Sequence, residues 1–283
     1  MRNDRLRIAP LATACGAEVW GVDLAAAQDE GTIADIRRAL LQHQVIFFRE
    51  QNLTPAQHKA FAARFGSLQR HPMIRLDDQH PEVLRIVKEA GDDKNFGGDW
   101  HSDLSYLEKP ALGSVLCARE VPEFGGDTLF ANMYLSYESL SAGLRRLLDG
   151  LKAVHSTARS YGDGGRQAGY IGEEGSMPVA RPDARQEAVH PVVRTHSETG
   201  RKALYVNEVF TIRFEGMSEA ESRPLLEYLW RHSVRPEFTC RFRWRAGSVA
   251  FWDNRCTQHY AINDYHGRRR EMHRVTVEGD RPA

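Results

Sequence analysis

Two short polar segments, far apart in the chain, limit what this sequence can fold into. One is Trp100-His101-Ser102-Asp103; the other runs from Trp252 through His259 to Arg270 and Arg274. Both hold residue types that bind metal ions or anions, and neither is sufficient alone. A fold that uses them must bring together positions about 150 residues apart. His101 and Asp103 stand at i and i+2, so a strand would point both side chains to one face. With His259 they make two imidazoles and one carboxylate, the facial ligand set of non-haem Fe(II) oxygenases, which leaves metal positions open. A lone H-x-D is weak; its neighbours strengthen it. Asp99-Trp100 precedes the pair, Gly125-Gly126-Asp127-Thr128 follows, and Trp252-Asp253-Asn254-Arg255 leads into Thr257-Gln258-His259.

The rest of the chain is compatible with an enzyme of this kind. With 283 residues, 41% of them hydrophobic, the chain can bury one substantial core, and a single domain over residues 1–283 is expected. Lys+Arg and Asp+Glu balance at 38 each, which gives no general case for nucleic acid or anionic membrane binding. No apolar run has the length of a membrane span. Met1-Arg2-Asn3-Asp4-Arg5 is not followed by the apolar core of a signal peptide. Cys15, Cys117, Cys240 and Cys256 show no C-x-x-C spacing and read as reduced, buried thiols of a cytoplasmic protein.

Periodicity places the motifs. A helix is expected from Gly31, with Ile33, Ile36 and Leu40 on one face, followed by a buried strand over residues 44–48. Thr54-Pro55 opens a second helix. Strands are expected to carry the H-x-D pair and the stretch around Val115, and to span residues 239–244 and 248–252. Helices are expected over residues 136–151 and 218–232. Residues 271–277 read as a strand, which puts Arg270, Met272 and Arg274 on one face and Glu271 and His273 on the other. Arg268 has the same parity as Arg270, so the run alone does not select between them. This mixture, mainly β with surface helices, fits a double-sheet jelly roll, the cupin-like double-stranded β-helix, among other folds. Residues 161–186, with six glycines and two prolines, read as a lid over the site.

Taken in order, these segments resemble the taurine dioxygenase family of Fe(II)- and 2-oxoglutarate-dependent oxygenases, which includes aryloxyalkanoate dioxygenases and alkylsulfatases. The resemblance runs from Gly16-Ala17-Glu18-Val19 and Gly21-Val22-Asp23-Leu24 through Phe47-Phe48-Arg49 and Phe65-Gly66 to His273-Arg274. It implies the jelly roll. It implies Fe(II) held by His101, Asp103 and His259, with 2-oxoglutarate and O2 as co-substrates and succinate and CO2 as products. It assigns Arg270 and Thr128 to the distal carboxylate of 2-oxoglutarate. Arg274, His71 and Phe210 fall to a small anionic organic substrate. It also implies a homo-oligomer, a dimer or tetramer. Taurine-degrading members carry a tyrosine and an asparagine where this chain has Ile74 and Gly97, so the expected substrate is larger and less polar than taurine. Segments such as Gly200-Arg201-Lys202-Ala203-Leu204-Tyr205-Val206-Asn207 look closer to the aryloxyalkanoate branch. Taurine itself or an alkyl sulfate remain open as substrates. A zinc hydrolase or a non-catalytic jelly-roll binding protein remain open as other classes.

Overall fold

The strand Val45–Phe48 shows how the sequence builds the framework. All four residues are buried, but Val45 and Phe47 join one apolar cluster while Ile46 and Phe48 join another. The strand Val249–Asp253 divides in the same way, with Ala250 and Trp252 on one side and Val249 and Phe251 on the other. These strands are central to an eight-stranded sheet apolar on both faces, in the order Arg7–Pro10, Ala17–Trp20, Val45–Phe48, Val249–Asp253, Ala111–Glu120, Arg270–Glu278, Leu68–Gln69, with Val83–Lys88 also paired to Arg270–Glu278. The computed structural model describes residues 6–74, 76, 79–161 and 185–283. Most of the expected lid, residues 162–184, lies outside the described residues.

Helices cover one face of the large sheet. Glu30–His43 presents Ile33, Ile36 and Leu40, and Pro55–Ala62 presents Phe61, all packed on Ile46, Phe48, Val115 and Phe251. Both begin at a capping side chain, the first at Glu30, one residue before the expected Gly31, and the second at the expected Thr54-Pro55. Asp29 accepts from the Thr32 amide, and Thr54 forms a reciprocal capping box with Gln57 behind Pro55. The other face meets a three-stranded sheet of Thr239–Phe242, Thr128–Asn132 and Thr257–Ala261. Phe242 stacks on Phe47 at 3.9 Å between ring centroids, and Phe130 meets Phe47 edge-on at 5.6 Å. Two facing sheets with outer helices make the expected jelly roll.

Three expectations change in detail. The helix over residues 136–151 is two helices, Met133–Glu138 and Ala142–Leu148, because Ser141 turns its hydroxyl to the Leu144 amide and starts a new one. The H-x-D pair is not on a regular strand, as described below. The strand expected over residues 239–244 ends at Phe242. The four cysteines are free and buried. No helix of the described residues is long and apolar enough to cross a membrane.

Candidate metal centre

His259 lies on the strand Thr257–Ala261, with its ring against Trp252 (4.7 Å) and Phe130 (6.1 Å) in the space between the sheets. His101 joins it through one isolated antiparallel bridge. The His101 amide donates to the His259 carbonyl (3.1 Å), and the His259 amide donates to the His101 carbonyl (2.9 Å). The chain then turns at Asp103, with Leu104 in the left-handed region at φ 55°. The turn, not strand alternation, brings the carboxylate back to the imidazoles; the Asn254 side-chain oxygen fixes it by accepting from the Asp103 amide (3.1 Å). Nε2 of His101 and of His259 each lie 3.8 Å from Oδ1 of Asp103. All three donor atoms fall within 4.8 Å of one another.

The donors are in the state a metal requires. The Asp99 carbonyl lies 2.7 Å from Nδ1 of His101, which places the ring proton there and leaves the Nε2 lone pair facing Asp103. Burial pushes the proton affinity of His101 down, and His259 is lowered well below its ordinary value by burial and by the neighbouring His101. Burial alone would raise the Asp103 pKa, but the Arg274 guanidinium, the two imidazoles and the Ser114 hydroxyl together hold its carboxyl well below the usual carboxylate range. Two neutral imidazoles and one carboxylate, pointed at one another, fit a divalent iron. Oδ2 of Asp103 accepts from Ser114 (2.8 Å) and the Asn254 amide (3.3 Å). Oδ1 faces the histidines and accepts from Nη1 of Arg274 (2.7 Å).

Parity along Arg270–Glu278 is as the sequence predicts: Arg270, Met272 and Arg274 are buried on the inner face, and Glu271 and His273 bond to each other on the outer one. Arg270 is held between the rings of Trp244 (5.9 Å) and Tyr265 (6.0 Å). Gly126, at φ 69°, makes room for it; a Cβ there would stand 3.2 Å from Cδ of Arg270. Thr128 accepts from the indole N–H of Trp244 (2.9 Å), so its own hydroxyl hydrogen is left to donate elsewhere. Thr128, Arg270, His101 and His259 line one hollow.

A second hollow adjoins it, lined by His71, Phe96, Tyr161, Phe210 and Arg274 beside His101 and Asp103. The Arg274 guanidinium lies 5.7 Å from the Phe96 ring, and Phe210 meets His101 edge-on at 6.3 Å. His71 is lowered to about 3, by burial first and by Arg274 second. It also braces its loop, accepting from the Met73 amide at 3.2 Å. Thus all eight residues singled out in the sequence come to one place. Sequence reasoning missed Ser114, Trp244, Phe96 and Tyr161, whose contacts are long-range. Asn254 sits in a motif already noted but its role did not show.

A His-Asp-His donor set between the sheets of a jelly roll, with a buried arginine and a hydroxyl alongside, defines a 2-oxoglutarate-dependent dioxygenase. Residues 7–276 match the model of the taurine catabolism dioxygenase TauD, TfdA family, and the chain belongs to that family. Its cofactor set is Fe(II), 2-oxoglutarate and O2. The chain is similar to an alpha-ketoglutarate-dependent sulfate ester dioxygenase of Pseudomonas putida, 37% identical over 279 residues, covering 98% of this chain and 91% of the relative. It is similar to the (S)-phenoxypropionate/alpha-ketoglutarate dioxygenase of Sphingobium herbicidovorans, 33% identical over 287 residues, covering 96% and 95%. A crystal structure of a taurine dioxygenase from Burkholderia xenovorans superposes with a TM-score of 0.82 at 41% identity, covering 99% of this chain and 91% of that one. The similarity therefore extends to both the sulfate-ester and the aryloxyalkanoate branches.

Proposed function

We propose that this protein couples oxidative decarboxylation of 2-oxoglutarate to hydroxylation of a small organic anion of the aryloxyalkanoate, sulfonate or sulfate-ester type. One observation carries the substrate assignment: Arg274, only 4% exposed, stands between Asp103 and a hollow walled by aromatic rings. His101, Asp103 and His259 hold the iron. Arg270 and Thr128 take the distal carboxylate of 2-oxoglutarate, the guanidinium offering two parallel donors and the threonine a third. Arg274 takes the anionic head of the substrate, and His71 and Phe210 flank it.

When bound, Fe(II) with 2-oxoglutarate and O2 supplies the oxidising power to convert C–H into C–OH. The chain supplies orientation. Ser114 and Asn254 hold one carboxylate oxygen of Asp103 so that the other faces the imidazoles. An anion drawn to Arg274 sets its nearest carbons beside the His101–Asp103 edge of the centre. Hydroxylation on a carbon next to the heteroatom gives an adduct that collapses to a carbonyl compound and a free phenol, sulfite or sulfate.

Two positions favour a body less polar than that of taurine. Ile74 is buried in the apolar cluster between the sheets. Gly97, at φ 79°, places no side chain in the site, and a Cβ there would crowd the His101 ring at 3.3 Å from Cε1. Neither offers a partner to an ammonium group, and apolar walls tolerate a range of bodies. A zinc hydrolase would leave Arg270 and Thr128 without a role.

Anaerobic titration with Fe(II) and 2-oxoglutarate tests the reading. A weak visible charge-transfer band should need both additions, be absent in His101→Ala, and shift with one compound from a panel of sulfate esters, sulfonates and aryloxy acids. A folded, metal-loaded protein with no band would overturn it.

A further inference from the structure

Lys88 ends the strand Val83–Lys88 and is 2% exposed. Its ammonium makes no hydrogen bond and no ion pair among the described residues. In the ladder between Val83–Lys88 and Arg270–Glu278, Lys88 stands directly opposite Arg270. Strand alternation puts Leu84, Ile86 and Lys88 on the face that carries Arg270, Met272 and Arg274. The Lys88 ammonium lies 4.8 Å from the centre of the Tyr265 ring, and the Arg270 guanidinium lies 6.0 Å from the same ring. Two cations therefore flank one aromatic ring at opposed positions in a sheet, where like charges repel. The ring attracts both, but it carries no countercharge. A buried ammonium without an anion is unfavourable, and such groups are ordinarily paired.

We propose that Lys88 is a second cation for the distal carboxylate of 2-oxoglutarate, acting beside Arg270 and Thr128. This rests on the dioxygenase reading above. The carboxylate supplies the missing countercharge, and the site tells a dicarboxylic oxo acid from a monocarboxylic one by charge as well as by the geometry of Arg270. Lys88 is a binding residue for the co-substrate and does not touch the reacting carbon.

The test is Lys88→Met, with Lys88→Gln scored identically should the first fail to fold. Thermal melting of the metal-free protein is followed with and without 2-oxoglutarate. Anaerobic charge-transfer titration then compares 2-oxoglutarate with 2-oxobutyrate, which lacks the distal carboxylate. The variant is expected to melt higher than wild type without ligand and to gain less from 2-oxoglutarate. Its half-saturation for 2-oxoglutarate should weaken by about tenfold, the order of one lost charge-assisted contact, and its half-saturation for 2-oxobutyrate should be unchanged. Unchanged 2-oxoglutarate affinity, or equal weakening for both oxo acids, would overturn the inference while leaving the dioxygenase reading in place. A wild-type protein with no response to 2-oxoglutarate would remove both.

Discussion

Two buried clusters in this protein have similar compositions and opposite uses. In His101, Asp103, His259 and in His196, Asp253, Cys256 the potential metal donors lie within 4.8 Å of one another. In both, surrounding cations or donors keep the carboxylate ionised. They differ in where the protons point. The Glu198 and Thr199 amides both donate to Nδ1 of His196 at 3.2 Å, so its proton sits on Nε2 and goes to Asp253 at 3.0 Å. Arg255 then takes both oxygens of Asp253, from Nε at 2.8 Å and Nη2 at 2.7 Å. That carboxylate is fully used by the protein, and burial together with Asp253 raises the Cys256 thiol well above its ordinary value. His101 has the other tautomer, with its lone pair turned inward. Residue type and distance nominate both clusters; the direction of the hydrogens selects one.

Breaking the two clusters should therefore give different phenotypes. The largest effect is expected from His101→Ala, which should abolish Fe(II) binding and turnover while leaving the melting curve close to wild type. Equilibrium dialysis of iron and product formation measure it. Next comes Asp253→Asn, which leaves Glu198, 2.7 Å from Nη1, as the remaining carboxylate partner of the buried Arg255 and should cost about 3 kcal/mol of stability in urea unfolding. Iron stoichiometry should stay at the wild-type value; a loss of iron would show that the second cluster also serves the metal. Asn254→Ala removes a hydrogen-bond support of Asp103 and should weaken Fe(II) about 10–100-fold, read by competition with a chelator.

The smallest effect involves an imidazole outside both clusters. His58 is wholly buried, its Nε2 3.0 Å from the Val115 carbonyl, and burial lowers it from 6.5 to about 3. Below pH 6.5 the unfolded chain takes up a proton that the folded protein refuses, so the stability it contributes is present above that pH and lost as pH falls. From pH 6.5 to 5.5 the loss should be about 1 kcal/mol. His58→Asn should flatten this part of the stability profile; an unchanged slope would mean that the imidazole is charged in the folded state.

The sequence made the donor residues legible because their chemistry is local: an H-x-D pair, a distant histidine, and arginines spaced by strand parity. The capping residue Thr54 also showed where a helix starts, since a cap is read from its near neighbours. The break at Ser141 was hidden inside helical periodicity, because serine can cap or continue with equal local logic. The turn at Asp103 looked like a strand because i, i+2 spacing is compatible with both. Ser114, Trp244 and Lys88 could not be found at all. Their meaning depends on Asp103, Thr128 and Arg270, which reach them only across the assembled sheets.

The single backbone bridge between His101 and His259 has a kinetic consequence. It closes a loop that holds more than half of the chain, and contacts of such sequence separation form slowly. During synthesis the first two ligands emerge long before the third. Iron therefore meets a complete ligand set only after translation has passed His259 and both sheets have met. Iron binding is thus linked to formation of that long-range contact, and bound metal stabilises it.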